Sequence, residues 1–433
     1  MSVAFGIDFG TSNSAVAMAE GEKVRLVEWP VPPVLSGAEG AGAVGKLSST
    51  LPTVLFAPEH DRGLLVGHEA IARYLYAGFE GRFIQSIKAF LPQASFSGTA
   101  IRGRHLSIEE IVAAFLVRLR EGAELFLGRK LDGPLIFGRP ARFSADPEAD
   151  RLAEERLKKA IGLAGFRDFQ FLIEPVAAAL AYEATLGQDE IVFVADLGGG
   201  TTDFTLMQVG PSHRGTIQRR QTILASGGLS VAGDAFDGQI VESQLFEPFG
   251  RGTTYKAFGA PTPVPHWIFQ KLKRWNHVSF LKSKKYLDFL KEVHGTCDRP
   301  EAIGRLIQVV DEDLGYLMFR AVERAKRTVH ETGATRIADE ANDLPLDQGM
   351  DVAQFRGAAR PLLLEIQEVA TQVLKEAQLG ADRVDAVFLT GGTSLIPEVR
   401  ETFATMFGAD RLRSHGTFTS VVDGLARGAN LAE

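Results

Sequence analysis

The sequence has a single cysteine, Cys297, among its 433 residues. One cysteine excludes an internal disulfide framework and is typical of a protein from a reducing compartment. No apolar run approaches the roughly 20 residues that a membrane-spanning helix needs, and Met1 leads into the first predicted strand without a basic leader. We therefore expect a cytoplasmic protein without a membrane partner.

Positive charge is scarcer than negative charge: 47 Lys and Arg stand against 54 Asp and Glu, a formal net charge of −7. This balance argues against a protein that binds nucleic acid over its whole surface, because duplex affinity depends on clustered Lys and Arg. The three consecutive glycines at 198–200 have neither Walker nor GxGxxG spacing, which disfavours the common dinucleotide folds. The chain is long enough for two lobes with cores of their own, and 45% of its residues are hydrophobic, as in globular proteins.

The central stretch, residues 191–209 (IVFVADLGGGTTDFTLMQV), combines a buried strand with a glycine turn. The strand ends at Asp196, three glycines follow, and Thr201, Thr202 and Asp203 lead into a second apolar run. Free backbone amides at such a turn attract anionic oxygen, and the two carboxylates suit a hydrated Mg²⁺. The stretch therefore predicts a phosphate site with a magnesium ion.

The first residues repeat this pattern. The segment FGIDFGTSN is again an apolar strand with an aspartate, Asp8, a glycine turn at Gly10 and small hydroxyl residues. Two such hairpins predict two lobes, each offering one loop to the same polyphosphate. A nucleotide held between two lobes can report its state by moving them.

Four other residues, two of them considered as a pair, have two interpretations each. Lys88, flanked by apolar residues, is either a solvated charge with a buried stem or a functional cation. Glu174, before Pro175, either caps a helix or orients an attacking water. Glu323 and Lys326 form a surface ion pair or bind a ribose.

Two features predict local structure around these positions. Ser107 and Glu110 form a capping box at the start of a helix over residues 107–126. The stretch 390–394 (TGGTS) is a third glycine-rich turn at a strand's carboxyl end, the edge where open α/β sheets bind ligands, and Pro397 begins a helix after it.

Residues 253–299 mix aromatic and basic side chains. Their apolar members recur at a spacing of three to four, which predicts a packed helical insertion with a charged outer face. A partner or peptide surface and a nucleic-acid site are the alternatives. The residues are Trp267, Phe269, Lys271, Lys273, Arg274, Trp275, Phe280, Lys282, Lys284, Lys285, Tyr286, Phe289 and Lys291.

Four motifs, in this order, resemble the actin, sugar-kinase and heat-shock ATPase superfamily, and within it the heat-shock 70-kilodalton (DnaK-type) chaperones. They are FGIDFGTSNSAVAM, DLGGGTTDFTL, FLIEPVAAALAY and FLTGGTSLIPEV. The runs FGRPARF and GFRDFQFLIEPVAAALAYEATL are similar to the YegD-like branch. The resemblance covers the chain outside residues 253–299.

The resemblance implies an α/β protein with the two-lobed actin-like ATPase fold, each lobe a mixed sheet flanked by helices. Lobe I would span residues 1–190 with an inserted subdomain at about 46–100, and lobe II residues 191–433 with an inserted helical subdomain at about 236–340.

The resemblance also implies roles for individual residues. The catalytic set would be Lys88, Glu174, Asp196 and Thr201. The carboxylates around hydrated Mg²⁺ would be Asp8, Asp196 and Asp203. The phosphates would bind to Gly10, Thr11, Ser12, Asn13, Gly198, Gly199, Gly200 and Thr201. The nucleoside would bind to Glu323, Lys326, Gly391 and Gly392. Pro140 and Arg151 match a pair linked to signalling between lobes.

Some positions depart from the family pattern. His330 stands where the family has a serine near the adenine, and Leu395 replaces an arginine that stacks on the base. Val422, beside Asp423, aligns with an acidic residue of the family. No acidic-leucine linker, peptide-binding β-domain or helical lid follows the lobes, so we expect any chaperone work to use the lobes or the insertion.

The sequence thus predicts a heat-shock-type ATPase that binds ATP or ADP with Mg²⁺ and hydrolyses ATP slowly to switch conformation, in protein folding or quality control. Unfolded clients, co-chaperones or a nucleotide-exchange factor would be its protein partners. One alternative is a sugar-type small-molecule kinase, which would need an aspartate base facing a substrate pocket; no such candidate stands out. The other is a nucleotide-dependent scaffold without turnover.

Overall fold

A computed structural model describes residues 3–36, 46–60, 63–76, 81–144, 146–183, 185–214, 220–257, 259–339, 344–413 and 420–430. The described residues form two compact units. Unit 1 is drawn from Met1–Ser230, Gln367–Leu395 and Arg400–Glu433, and unit 2 from Val231–Ile366 and Ile396–Val399. The predicted lobe boundary after residue 190 stays a prediction.

The strands are short to medium in length. They are β1 (Val3–Phe9), β2 (Asn13–Glu20), β3 (Lys23–Leu26), β4 (Trp29–Pro30), β5 (Leu47–Ser48), β6 (Leu51–Pro52), β7 (Val54–Pro58), β8 (Leu65–Val66), β9 (Gly81–Gln85), β10 (Gly98–Ile101), β11 (Arg104–Ser107), β12 (Leu135–Arg139), β13 (Phe169–Ile173), β14 (Glu190–Leu197), β15 (Thr202–Val209), β16 (Ile223–Leu229), β17 (Thr254–Ala257), β18 (Ala260–Pro263), β19 (Ala334–Ala338), β20 (Asp347–Asp351), β21 (Ala386–Thr390) and β22 (Leu412–Arg413).

The helices range from single turns to seven turns. They are α1 (Pro33–Ser36), α2 (Gly67–Tyr76), α3 (Ile108–Leu127), α4 (Pro147–Leu163), α5 (Glu174–Glu183), α6 (Gly233–Ile240), α7 (His266–Lys271), α8 (Trp275–Val278), α9 (Lys284–Thr296), α10 (Pro300–Asp311), α11 (Gly315–Thr332), α12 (Val352–Glu376), α13 (Pro397–Phe407) and α14 (Ser420–Asn430).

Unit 1 contains two mixed sheets with the same pairing scheme. The first has the order β13-β12-β1-β2-β3 and the second β22-β21-β14-β15-β16. In each, the central strand pairs antiparallel with the strand that follows it in the chain and parallel with a strand much later in the chain. The two hairpins predicted from the sequence, β1–β2 and β14–β15, therefore occupy equivalent places. The predicted mixed α/β architecture is confirmed.

Helices α5 and α14 pack against these sheets with unusually close backbone contacts. One apolar cluster joins residues of α5 and α14 to Ile136 of β12, Val194 of β14 and Phe388 of β21. A Cβ atom at Gly6 would lie 2.4 Å from the backbone nitrogen of Ala426, and one at Gly424 would lie 1.9 Å from the carbonyl oxygen of Ala177. Glycine at these two positions lets α14 approach β1 and α5 closely.

Helix α3 begins as its sequence predicts. The backbone amide of Glu110 donates to Ser107 Oγ at 3.2 Å, and the amide of Ser107 donates to Glu110 Oε2 at 2.8 Å. This reciprocal pair satisfies two amides that a helix start otherwise leaves without partners.

Unit 2 is built from α6 to α11, the first half of α12 and two hairpins, β17–β18 and β19–β20. The predicted helical insertion is correct for α7, α8 and α9, but Thr254–Ala257 and Ala260–Pro263 pair as a hairpin instead. Its second strand contains Pro261 and Pro263, which lack the amide hydrogen that a helix interior needs. Among the described residues, no helix is both long and apolar enough to cross a membrane.

The close packing of α14 predicts a large difference between two glycine-to-alanine substitutions. Gly424→Ala should lower the free energy of unfolding by about 1–3 kcal/mol, because the new methyl group overlaps a backbone oxygen. Gly162→Ala, in α4 with open space at its Cβ position, should be neutral or stabilising by up to about 1 kcal/mol. Urea midpoints of both variants check this, and equal midpoints would contradict the described packing.

Candidate functional site

The two predicted phosphate loops follow β1 and β14. After β1, a Cβ atom at Gly10 would lie 2.1 Å from the carbonyl oxygen of Asn13, so this turn closes only with glycine. After β14, the amide of Gly198 donates to the carbonyl oxygen of Thr201 at 3.0 Å. In both cases the backbone turns back tightly directly after the aspartate-bearing strand.

The two loops face each other within unit 1. A Cβ atom built at Gly200 would lie 3.4 Å from Thr11 Cγ2 and 3.8 Å from Ser12 Oγ. The structure thus brings together two turns that lie far apart in the sequence. The absence of a side chain at Gly200 leaves space between them.

A buried ion pair lies beside these loops. Lys88 sits in a short 3₁₀ turn, Ile87–Phe90, and Glu174 is the first residue of α5. Lys88 Nζ donates to Glu174 Oε1 at 2.9 Å, and both residues are 8% exposed. The interpretation of Lys88 as a solvated charge is therefore wrong. Burial works against its ammonium charge, but Glu174 and Asp8 outweigh burial and raise the pKa of Lys88.

Three partly buried aspartates complete the cluster, and burial is the main cause of a raised pKa in each. The pKa rises to about 8 for Asp8 and about 6 for Asp196, with Glu174 adding repulsion, and to about 7 for Asp203, with repulsion from Asp196. The positive charge of Lys88 acts to lower the pKa of all three aspartates, but it does not outweigh burial and the repulsion between carboxylates. The cluster therefore holds more carboxylates than cations, which favours binding of a further cation.

The donor set fits hydrated magnesium better than a fully dehydrated metal ion. Among the described residues, no group of three or more His, Cys, Asp or Glu side chains converges closely enough to hold a metal directly. Mg²⁺ usually keeps several waters and takes one or two carboxylates. Asp8, Asp196 and Asp203 would therefore hold it largely through water.

The third glycine-rich turn supports the second loop. Thr390 Oγ1 donates to Asp196 Oδ1 at 3.0 Å, and Thr393 Oγ1 donates to the carbonyl oxygen of Gly198 at 2.6 Å. Gly391 has a φ of 77°, and a Cβ there would lie 2.2 Å from the carbonyl oxygen of Leu197. The turn thus orients Asp196, whatever else it binds.

Sequence reasoning missed four residues that shape this cluster. Two are the hydroxyls of Thr390 and Thr393. The others are glycines: a Cβ at Gly138 would lie 3.0 Å from Glu174 Cγ, and one at Gly228 would lie 2.8 Å from Asp203 Oδ1. Their positions at or near strand ends were a signal, but the contacts become visible only in the folded chain.

The predicted nucleoside residues Glu323 and Lys326 lie on α11 in unit 2. Lys326 Nζ is 2.7 Å from Asp237 Oδ1 and donates to the carbonyl oxygen of Gly233 at 3.3 Å. Glu323 Oε1 is 3.9 Å from Arg327. The interpretation of Glu323 and Lys326 as a mutual surface ion pair is therefore wrong.

The positions that depart from the family pattern are also placed. His330 Nε2 lies 3.2 Å from Oε2 of buried Glu398, whose other oxygen accepts from Arg356 Nε at 3.0 Å. In unit 1, Leu395 is 52% exposed and Val422 is fully buried.

Pro140 and Arg151, the pair that the resemblance links to signalling, lie in unit 1, and so does Asp423, the acidic neighbour of Val422. Arg151 is exposed and 3.8 Å from Glu155, while the carbonyl oxygen of Pro140 accepts from Arg139 Nε at 3.0 Å. Asp423 accepts from Arg427 Nε at 2.8 Å.

Comparison with known proteins agrees with this architecture. A family model described as Hsp70 protein matches residues 91–255 and 312–429, more than half of the chain. This chain belongs to the Hsp70 family. The chaperone protein DnaK of Thermus thermophilus is similar to it, 28% identical over 433 positions that cover 96% of this chain and 58% of DnaK. The chain thus spans little more than half the length of that Hsp70 relative.

Membership of the Hsp70 family implies the fold class of this chain. Hsp70 proteins have the two-lobed actin-like ATPase fold, and the repeated mixed sheets of unit 1 agree with it. Hsp70 and DnaK proteins are chaperone-type ATPases that bind ATP and ADP. The roles assigned above to individual residues of this Hsp70 chain stay predictions.

The raised pKa of Asp8 predicts how the stability of this Hsp70 protein depends on pH. Because the folded-state pKa of about 8 exceeds the ordinary aspartate pKa of 3.8, the folded state binds more protons, and stability falls as pH rises between these values. Asp8→Asn removes this cost. It should stabilise the nucleotide- and metal-free protein by roughly 1–3 kcal/mol at pH 8, less at pH 5.

Thermal midpoints in EDTA between pH 5 and pH 8 measure the difference, with exposed Asp168→Asn as the control. A stabilisation by Asp8→Asn that is the same at both ends of the pH range would show that the carboxyl is not the source.

Proposed function

We propose that this protein is a chaperone-type ATP hydrolase that binds Mg-ATP and hydrolyses it slowly to switch conformation. One observation carries the proposal: the buried Lys88–Glu174 pair lies among Asp8, Asp196 and Asp203, beside two facing glycine turns. The Hsp70 family supports the general class of ATPase.

Phosphate binding would use the backbone of both turns. Side-chain-free turns expose consecutive amide hydrogens, which bind anionic oxygens. The residues proposed to hold the phosphates are Gly10, Thr11, Ser12, Asn13, Gly198, Gly199, Gly200 and Thr201. Thr11 Cγ2 and Ser12 Oγ lie near Gly200, which supports the proposal that both turns reach one polyphosphate.

Magnesium would supply charge neutralisation at the phosphates and would be held by Asp8, Asp196 and Asp203. The excess of carboxylates supports this proposal, because a divalent cation relieves the repulsion that raises the pKa of each aspartate. Thr390 keeps Asp196 oriented by its hydrogen bond.

Hydrolysis would depend on Lys88, Glu174, Asp196 and Thr201. The Lys88 ammonium is a fixed point charge that can offset negative charge developing on the phosphoryl oxygens. Glu174 and Asp196 would hold the attacking water by accepting its hydrogens. Thr201, which donates to Asp203 Oδ2 at 3.3 Å, would bridge phosphate and metal ligands.

The nucleoside would bind to Glu323, Lys326, Gly391 and Gly392. Asp237 fixes the Lys326 ammonium, which supports a role for it as an oriented donor to ribose. The pairing of His330 with Glu398 supports a base environment that differs from that of the family pattern.

We further propose that the conformational switch serves protein folding or quality control in the cytoplasm, as part of a stress response. Unfolded clients, co-chaperones or an exchange factor would be the partners, since the family consists of chaperones.

Single-turnover hydrolysis of radiolabelled Mg-ATP tests the proposal. Lys88→Ala should reduce the hydrolysis rate by roughly 100-fold or more, because a preorganised charge is lost at the transition state. ADP affinity should change less than about tenfold, since the backbone amides remain. Exposed Lys130→Ala is the matched control and should behave as the wild type.

Equal rates for wild type and Lys88→Ala would remove Lys88 from the mechanism. Tight ATP binding without any hydrolysis would instead favour the scaffold alternative, and a phosphorylated product from a sugar panel would favour the kinase.

A further inference from the structure

Residues 266–291 of unit 2 form the most basic stretch of this acidic protein. They contain seven Lys and Arg residues and one acid, Asp288, in a chain with a formal net charge of −7. The ATPase proposal uses none of these residues. The positive charge of this stretch is therefore not explained by the proposed ATPase function.

Aromatic and lysine side chains from α7, from the 3₁₀ turn Ser279–Lys282 and from α9 meet on one surface here. The rings of Trp267 and Tyr286 are 5.0 Å apart, and Lys285 Nζ lies 5.7 Å from the Tyr286 ring centre. Lys271 Nζ lies 5.7 Å from the ring centre of Phe280. Trp267 and Lys271 are four residues apart on α7 and share a face. We call these five residues the aromatic-lysine patch.

The patch exposes large apolar area. Trp267 is 40% exposed and Phe280 is 58% exposed. By contrast, Phe269, two residues further along α7, is 1% exposed. Aromatic residues are enriched at protein interfaces, and Trp is among the residues that supply most of their binding energy.

The lysines around the patch fall into two groups. Lys273 pairs with Glu242 at 2.5 Å, Lys291 with Asp311 at 3.6 Å, and Lys282 with Asp313. These pairs neutralise charge within the fold.

By contrast, no carboxylate in the described part of the chain lies within ion-pair distance of Lys271, Lys284 or Lys285. The lysines of this stretch for which the described residues supply no acidic partner are thus those at the aromatic rings of the patch, or directly beside them in the sequence. A binding partner can supply the missing carboxylates.

We propose that the aromatic-lysine patch binds an acidic segment of a partner protein, in which Asp or Glu residues alternate with large apolar residues. The carboxylates pair with Lys271, Lys284 and Lys285, and the apolar side chains cover Trp267 and Phe280. Complementary charge sets the orientation, and apolar burial supplies most of the affinity.

The geometry favours a protein segment over single-stranded nucleic acid. Base stacking needs open ring faces, but lysine ammonium groups lie over Phe280 and Tyr286. The acidic remainder of the chain also repels a polyanion, whereas a short acidic peptide contacts the patch alone.

Fluorescence polarisation with a labelled synthetic peptide of about twelve residues, Asp-Leu-Glu-Phe repeated, tests the proposal on the full chain. We expect saturable binding that weakens roughly tenfold or more between about 0.05 M and about 0.3 M salt. The same peptide with Asn and Gln for Asp and Glu should bind at least about tenfold more weakly. A labelled dT oligonucleotide of equal length serves as the nucleic-acid arm.

Two kinds of variant locate the binding. The double variant Lys271→Glu with Lys285→Glu should weaken binding of the acidic peptide by roughly tenfold or more. Trp267→Ala should weaken it by a similar factor, because the apolar contact is removed. The matched controls are Lys256→Glu, an exposed cation outside the patch, and Tyr76→Ala, an exposed aromatic in unit 1. Circular dichroism checks that all variants are folded; Lys284→Glu, at an exposed position, replaces a charge-reversed variant that is not.

Loss of peptide binding in the patch variants, with both controls unchanged, would support the proposal. Absence of saturable peptide binding, equal binding by the charge-reversed variants, or tighter binding of the dT oligonucleotide would overturn it. None of these readouts requires ATP hydrolysis, so the result is independent of the proposed ATPase function.

Discussion

The buried ion pair between Lys88 and Glu174 is the interaction on which the candidate site depends. Two opposite charges, both almost removed from water, are stable only when they compensate each other, because each alone carries a large desolvation cost. The pair joins a 3₁₀ turn to the start of α5, and three aspartates surround it. The surplus of negative charge weakens the ligand-free fold, which is a common consequence of building a binding site.

The repeated sheet explains how this pair meets both glycine turns. β1 and β14 hold equivalent places in sheets of identical pairing, and the aspartate-glycine corner follows each strand. Both sheets contribute to the same apolar cluster as α5 and α14. Close contacts at Gly6 and Gly424 set the spacing of these layers, so the corners converge although their sequences lie far apart.

Unit 2 distributes its charges differently. Lys326 and His330 are each held by a carboxylate from another element, Asp237 and Glu398. In the described part of the chain no acid pairs with the cations of the aromatic-lysine patch, which share their surface with exposed rings. Some lysines of unit 2 are therefore paired with acids of the fold and stabilise it, whereas those of the patch are available to a binding partner.

The sequence by itself determined the local features: the strand-aspartate-glycine corners at Asp8 and Asp196, the capping box at Ser107, and the family through its motif order. These signals lie within a few residues of each other, where backbone propensity and turn chemistry act. The tertiary structure alone decided that Lys88 is buried, since its partner is 86 residues away, and that Thr390 orients Asp196 across 194 residues. Local patterns carry no information on such contacts, because packing of distant elements creates them.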